Sequence, residues 1–136
     1  MNTSKEIFSL KGEVAVVIGA TGVLGGALAE GLAAAGSKVA VLGRNEERGQ
    51  ARVKAITDQG GQAAFFACDA SSRASLAEAH KKIEASLGAP TILVNAAGGN
   101  DPKVTVTAEN PFESISLEAL NANLDLNYIG GAFLPC

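Results

Sequence analysis

The sequence predicts an α/β protein, a doubly wound parallel sheet lying between two layers of helices. Three observations predict it. Short runs rich in β-branched or aromatic residues alternate with helical apolar patterns from residue 14 to residue 95. Gly36, the pair Gly60-Gly61, and Gly88 with Pro90 close the helical stretches. The glycine-rich turn "GATGVLGG" (19–26) stands where the first strand hands over to the first helix. Strict alternation of this kind implies parallel strands joined by right-handed crossovers, and hence helices on both faces of the sheet.

The elements follow in order. "VAVVI" (14–18) is short and β-branched, as suits a strand buried on both faces. From Val23 to Ala35, apolar residues at 24, 28, 32 and 35 fall on one helical face, and Gly36 supplies the stop. "KVAVLG" (38–43) is the second strand. Asn45 can cap the next helix, with Glu46 and Glu47 favoured by the helix dipole in its first turn. "QAAFFAC" (62–68) is the third strand, and Ser71 or Ser72 caps a helix on which Leu76, His80, Ile83 and Leu87 share a face. "TILVN" (91–95) is the fourth strand, followed by the irregular stretch "GGNDPKVTVTAENPFES". Ser116 then caps a last helix carrying Leu117, Leu120 and Leu124. No linker, repeat or low-complexity tract divides residues 1–136, which read as a single domain or one piece of one.

Composition excludes several classes of function. The chain has 136 residues, 47% of them hydrophobic, and a net charge of -3, without the basic stripe of a nucleic-acid surface. No apolar run approaches the roughly 20 residues needed to cross a bilayer. "MNTSKEIFSLKGE" lacks the apolar core of a secretory leader. Cys68 and Cys136 match no metal or redox spacing, so no metal site is expected and a reducing cytoplasm is the expected compartment.

The turn after the first strand lies where open α/β sheets bind ligands, beyond the carboxyl ends of the strands. A helix N-terminus there offers unpaired N–H groups and partial positive charge, which suits a phosphate. Glycine serves three purposes at such a turn: positive φ, close approach of the backbone to a pyrophosphate, and close packing of helix on strand. Gly19, Gly22 and Gly25 suit these tasks in that order, with Gly26 adding to the packing. The spacing is G-x-x-G-x-x-G, not the strict G-x-G-x-x-G, and a tight strand-to-helix turn without a ligand is its plain alternative.

At this point the chain resembles the short-chain dehydrogenases/reductases. The opening "LKGEVAVVIGATGVLGGALAEGLAAAGSKVAVLGRN" is similar to that family's first βαβ unit, with Val23 in place of a glycine of the compact members. "ACDAS" (67–71) resembles the end of the third strand, where an aspartate, here Asp69 beside Ala70, meets the adenine. "LVNAAGG" (93–99) resembles the element after the fourth strand, with Ala96 replacing its second asparagine. "LDLNYIGGAF" (124–133) resembles the helix that holds the family's catalytic asparagine, here Asn127. The resemblance implies a Rossmann-type fold whose cofactor-binding residues are Gly19, Thr21, Gly22, Val23, Leu24, Gly25, Arg44, Asn45, Asp69, Ala70, Asn95, Ala96, Ala97 and Gly98. "GATGVLGGALA" together with "NAAGGNDPK" is similar to sequences described as D-mannonate (fructuronate) oxidoreductases.

An NAD-binding fold places a carboxylate at the end of the second strand to hold the ribose 2′-OH. Here that position is Gly43, followed by Arg44. Nothing there repels a 2′-phosphate, and a guanidinium can pair with one through two hydrogen bonds, so NADP is favoured over NAD. The plain alternative for Arg44 is a solvated charge at the start of a surface helix.

The family's Tyr-x-x-x-Lys pair is not present. Tyr128 is the one tyrosine, Ala132 stands four residues on, and no lysine follows Lys103. The resemblance implies that the pair, the fifth strand and the wall around the nicotinamide lie downstream of Cys136, leaving the sheet incomplete at its C-terminal side. It also implies small-molecule substrates, a polyol or sugar acid among them. With 91–95 left as an unpaired edge strand and apolar faces uncovered, the chain is expected to aggregate or to pair with another copy as a homo-oligomer. Two other readings stand beside the oxidoreductase: a non-catalytic dinucleotide-binding module, and a class I methyltransferase, against which Gly43 argues. His80 reads as a packed residue of an apolar helix face, and Asp101 and Glu109 as solvated loop acids.

Overall fold

The computed structural model describes residues 7–136; part of the N-terminal stretch read above for a leader, residues 1–6, lies outside them. The strands β1 (Val14–Ile18), β2 (Lys38–Gly43), β3 (Gln62–Ala67) and β4 (Ile92–Asn95) form one parallel sheet in the order β3-β2-β1-β4. Between them run α1 (Val23–Ala34), α2 (Glu46–Asp58) and α3 (Arg73–Ser86), and α4 (Leu117–Leu124) follows β4. The order reverses at β1, whose neighbours are β2 and β4, so the crevice above β1 is the topological switch point.

Alternation along the strands assigns each residue to a layer. Ala15, Val17, Val39 and Val41 are fully buried beneath Ala29 and Ala33 of α1 and Ile56 of α2. Val16, Ile18, Leu42 and Phe66 face the other way and pack on Ala79, Ile83 and Leu87 at α3. The α3 end is also tied to the sheet by Lys38, whose Nζ donates to the Leu87 carbonyl at 3.0 Å.

Local signals set the helix ends. The Asn45 side chain accepts from the Arg48 N–H, that of Ser72 from Ser75 and that of Ser116 from Ala119. Gly36, with φ of 105°, turns the chain out of α1 and into β2.

Two faces differ from the sequence reading. On α1 the buried stripe is Gly25, Gly26, Ala29 and Ala33; of the expected face 24, 28, 32 and 35, Leu32 packs partly buried against the same core. Leu24 is 72% exposed and Leu28 42%. Small residues win because they let the helix axis lie close to the sheet, whereas leucines would hold it off. On α3 the inward position is Ala79, and the His80 side chain is 57% exposed, with Nδ1 3.5 Å from a Glu84 carboxylate oxygen. His80 is therefore not packed in a core.

After β4 the chain makes two short helical turns, Pro102–Val104 and Phe112–Ser114. Asp101 caps the first of them, accepting from the Lys103 N–H. The helix from α4 then widens over Asp125–Phe133 into turns closed by i→i+5 bonds, such as Leu134 N–H to Ile129 carbonyl at 2.9 Å. Among the described residues, no helix is long and apolar enough to cross a membrane.

Candidate functional site: a dinucleotide cleft at the strand ends

Gly19 ends β1 with φ of 85°, and a Cβ there would come within 2.7 Å of the Ala96 and Ala97 backbone. Both constraints, handedness and room, select glycine. The turn is pinned to the neighbouring strand, since the N–H groups of Gly19 and Ala20 both donate to the Leu42 carbonyl, at 3.0 and 3.2 Å. Gly22 follows as the N-cap of α1, in extended conformation. Gly25 packs beneath the turn, where a Cβ would overlap the Gly19 carbonyl oxygen. A Cβ on Gly26 would overlap the Arg52 guanidinium, which is paired with Glu30 and joins α2 to α1.

The N-terminus of α1 differs from those of the other three α-helices. It has no side-chain cap, whereas Asn45, Ser72 and Ser116 cap the others, and like α3 it carries no acidic residue in its first turn. The N–H groups of Val23, Leu24 and Gly25 have no acceptor within the helix, because the first intrahelical bond is Gly26 N–H to Gly22 carbonyl. Val23 and Leu24 themselves turn their side chains to solvent, 91% and 72% exposed. An anion seated there would meet backbone donors and no acidic side chain of the helix's own first turn.

In front of this turn lies a cleft of about 240 Å³ formed by the carboxyl ends of all four strands. The first turn contributes Gly19, Thr21 and Gly22, and the end of β2 contributes Gly43 and Arg44. Asp69 and Ala70 enter after β3, and Ala96, Ala97 and Gly98 after β4. Arg44 is exposed. The Asp69 carboxylate accepts from the Ser71 hydroxyl at 2.6 Å and from the Ser71 N–H at 3.0 Å. These bonds, helped by the Arg44 charge, hold its carboxyl below the usual range. Cys68 is the opposite case: burial pushes the thiol up, against a hydrogen bond from Ser75, and the Asp69 charge adds to the rise. That thiol is an inert wall.

Several residues named from the sequence stand beside the cleft, not in its lining. Asn45 is spent capping α2. Asn95 directs its side-chain amide to the Cys136 sulfur at 3.6 Å. Asn127 spans 28 residues of sequence to brace the loop after β4: Oδ1 accepts from Gly99 N–H and Nδ2 donates to Gly99 carbonyl, both at 2.9 Å. A third bond runs from Nδ2 to the Asn123 carbonyl at 3.0 Å. Ile18, Cys68, Ser71, Leu126 and Gly130 also line the cleft and were not among the site residues expected from the sequence. Ser71 could have been found from its position two residues after Asp69, the spacing of an Asx turn. Leu126 and Gly130 are brought in by the widened helix, which has no comparable local signature. Among the described residues, no cluster of three or more His, Cys, Asp and Glu is placed to hold a metal ion.

The family model for short chain dehydrogenases matches residues 13–134. The chain belongs to that family. An uncharacterized oxidoreductase of Bacillus subtilis, UxuB, is 46% identical over 106 residues, covering 78% of this chain and 38% of the relative. The D-threitol dehydrogenase of Mycolicibacterium smegmatis is 34% identical over 129 residues, covering 95% of this chain and 46% of the relative. Among solved structures, a protein assigned as a D-mannonate oxidoreductase from Haemophilus influenza, with bound NAD, superposes with a TM-score of 0.85 at 27% identity, over 98% of this chain and 51% of its own. A gluconate 5-dehydrogenase from Burkholderia cenocepacia, in complex with NADP and tartrate, gives a TM-score of 0.80 at 29% identity, over 94% of this chain and 48% of its own. The chain thus spans about half the length of the short-chain dehydrogenases it matches. Its Rossmann-type sheet is the N-terminal part of their fold, and the two solved structures named here hold NAD and NADP respectively.

Proposed function

We propose that this chain, as residues 1–136 of a Rossmann domain, holds the dinucleotide of an oxidoreductase that moves a hydride between NADP(H) and a carbonyl or hydroxyl of a small polyol or sugar acid. The observation that carries the reading is the uncapped, acid-free N-terminus of α1 behind a turn that only glycine can make. The first-turn N–H groups of Val23, Leu24 and Gly25 take the diphosphate, Asp69 and Ala70 border the adenine, and the 95–99 loop walls the ribose on the nicotinamide side. When bound, the nicotinamide supplies the hydride. What this chain contributes is grip, orientation and exclusion of water from one side. Asn127 serves the catalytic centre as a positioning group, because its amide is committed to the Gly99 and Asn123 backbone. The names of the relatives, a threitol dehydrogenase, a gluconate 5-dehydrogenase and a mannonate oxidoreductase, support a polyhydroxylated substrate, with D-mannonate/fructuronate one candidate.

Of the two coenzymes, NADP is the better fit. Gly43 ends β2 without a carboxylate, and Arg44 borders the cleft in the next position. A guanidinium on a 2′-phosphate makes charge-assisted bonds worth about 1.5–3 kcal/mol each. Fluorescence titration with NADPH and NADH tests this directly. Tighter NADPH binding is expected, and Arg44→Ala should weaken NADPH by about tenfold or more while leaving NADH nearly unchanged. Tighter NADH binding overturns the NADP reading, and no binding of either overturns the site. The protein works in the cytoplasm as a homo-oligomer, an assembly that would cover the exposed apolar residues of β4 and α4.

A further inference from the structure

Gly43 is a glycine without a conformational reason. The positive-φ glycines are Gly12, Gly19, Gly36, Gly60 and Gly88, and Gly43 is not among them. Its backbone is ordinary strand, which any side chain could adopt. The reason is room. A Cβ at position 43 would stand 2.5 Å from Cγ2 and 2.8 Å from Oγ1 of Thr21, and 3.2 Å from its Cβ.

Neither backbone can retreat from that conflict. The turn carrying Thr21 hangs on the Leu42 carbonyl through Gly19 and Ala20, and Gly22 N–H closes it onto the Gly19 carbonyl at 3.0 Å. The end of β2 is held from its other side by the bond from Cys68 N–H to the Gly43 carbonyl at 3.1 Å. Thr21 itself is β-branched and stiff at χ1, so turning one branch away brings the other in. We propose that Thr21 is a specificity-determining residue: its side chain fills the space through which residue 43 would have to project a carboxylate toward the ribose. This rests on the dinucleotide reading given above and deepens it. Thr21 and Gly43 form an interlock that keeps the ribose end of the cleft free of acid, so discrimination depends on the pair and not on position 43 alone.

The consequence is non-additive. The probes are NADP+ and NAD+, titrated against the purified full-length protein and the variants Gly43→Asp, Thr21→Ala and the double variant. Gly43→Asp alone should weaken both coenzymes and leave their preference near that of the parent, because the new side chain collides before it can reach a ribose. Thr21→Ala, which removes both colliding atoms, should shift the preference little. Together they should move it toward NAD+ by about tenfold or more beyond Gly43→Asp alone. An equal shift in Gly43→Asp and in the double variant overturns the proposal. Should Gly43→Asp fail to fold, Gly43→Ala carries the test. Its Tm should fall in the Thr21 parent and recover in the Thr21→Ala background, and absence of that recovery overturns the interlock. A parent that prefers NAD+ refutes the NADP reading but leaves the interlock test intact, since that test compares single with double variants.

Discussion

The two faces of the sheet are built from the same kind of strand residue and end in different states. On one, Ala15, Val17, Val39 and Val41 are fully buried under α1 and α2. On the other, Val16, Ile18, Leu42 and Phe66 pack on α3, but Leu93 of β4 is left partly uncovered. Leu93, paired in register with buried Val16, is 42% exposed at the edge of a groove of about 250 Å³. His80 and Pro135 also line that groove. Burial is therefore not written in the strand letters. It depends on which helix residues arrive: α1 and α2 close over the first face, and α3 packs on the second.

The largest test of that contrast is a pair of truncations. Ile56→Ala on the covered face should cost about 2–5 kcal/mol in urea unfolding, while Leu93→Ala should cost less than about 1 kcal/mol. Equal costs would mean that the β4 face is covered in solution. Next comes Gly25→Ala, which drives a methyl into the Gly19 carbonyl and lifts α1 off the covered face. Dinucleotide affinity should fall by about tenfold to a hundredfold, read by the same NADPH titration. Binding unchanged would show that α1 can shift without losing its grip on phosphate.

The open face gives the third test. Leu93→Lys places a charge on an edge strand, where charge opposes edge-to-edge and face-to-face association. Light scattering should show less self-association than for the parent protein; no change would place the contact elsewhere. The smallest effect belongs to the cleft rim, where the two faces meet. Asp69 has its carboxyl lowered by Ser71, so its stabilising bonds are present above the ordinary carboxylate range and are lost as pH falls through the lowered value. Wild type should exceed Asp69→Asn in urea midpoint by a small, constant margin from pH 7 to about pH 5, and the margin should close below about pH 4. A margin that persists in stronger acid would assign the loop's order to the main chain alone.

Much of this was legible in the residues. The strands, the caps at Asn45 and Ser116, a cap at Ser71 or Ser72 (Ser72 in the structure), and the glycine turn were readable because each is decided within a few residues of chain. The buried face of α1 was misread because hydrophobicity ranked the leucines first, while the sheet demanded close approach and chose Gly25, Gly26, Ala29 and Ala33. His80 was misread for a related reason: its helical spacing matched Leu76 and Ile83, but Ala79 turned inward and the groove beside it stayed open. The bond from Asn127 to Gly99 joins positions 28 residues apart, and no periodicity announces it.

The sequence by itself determined the alternation, the parallel sheet, the family and the placing of a glycine turn after β1, since these follow from local pattern and backbone chemistry. Only the tertiary structure decided which side of α1 is buried, how a side chain at position 43 would meet Thr21, and which strand residues α3 packs on. Those outcomes depend on distances between segments remote in sequence, where packing allows one atom to a space.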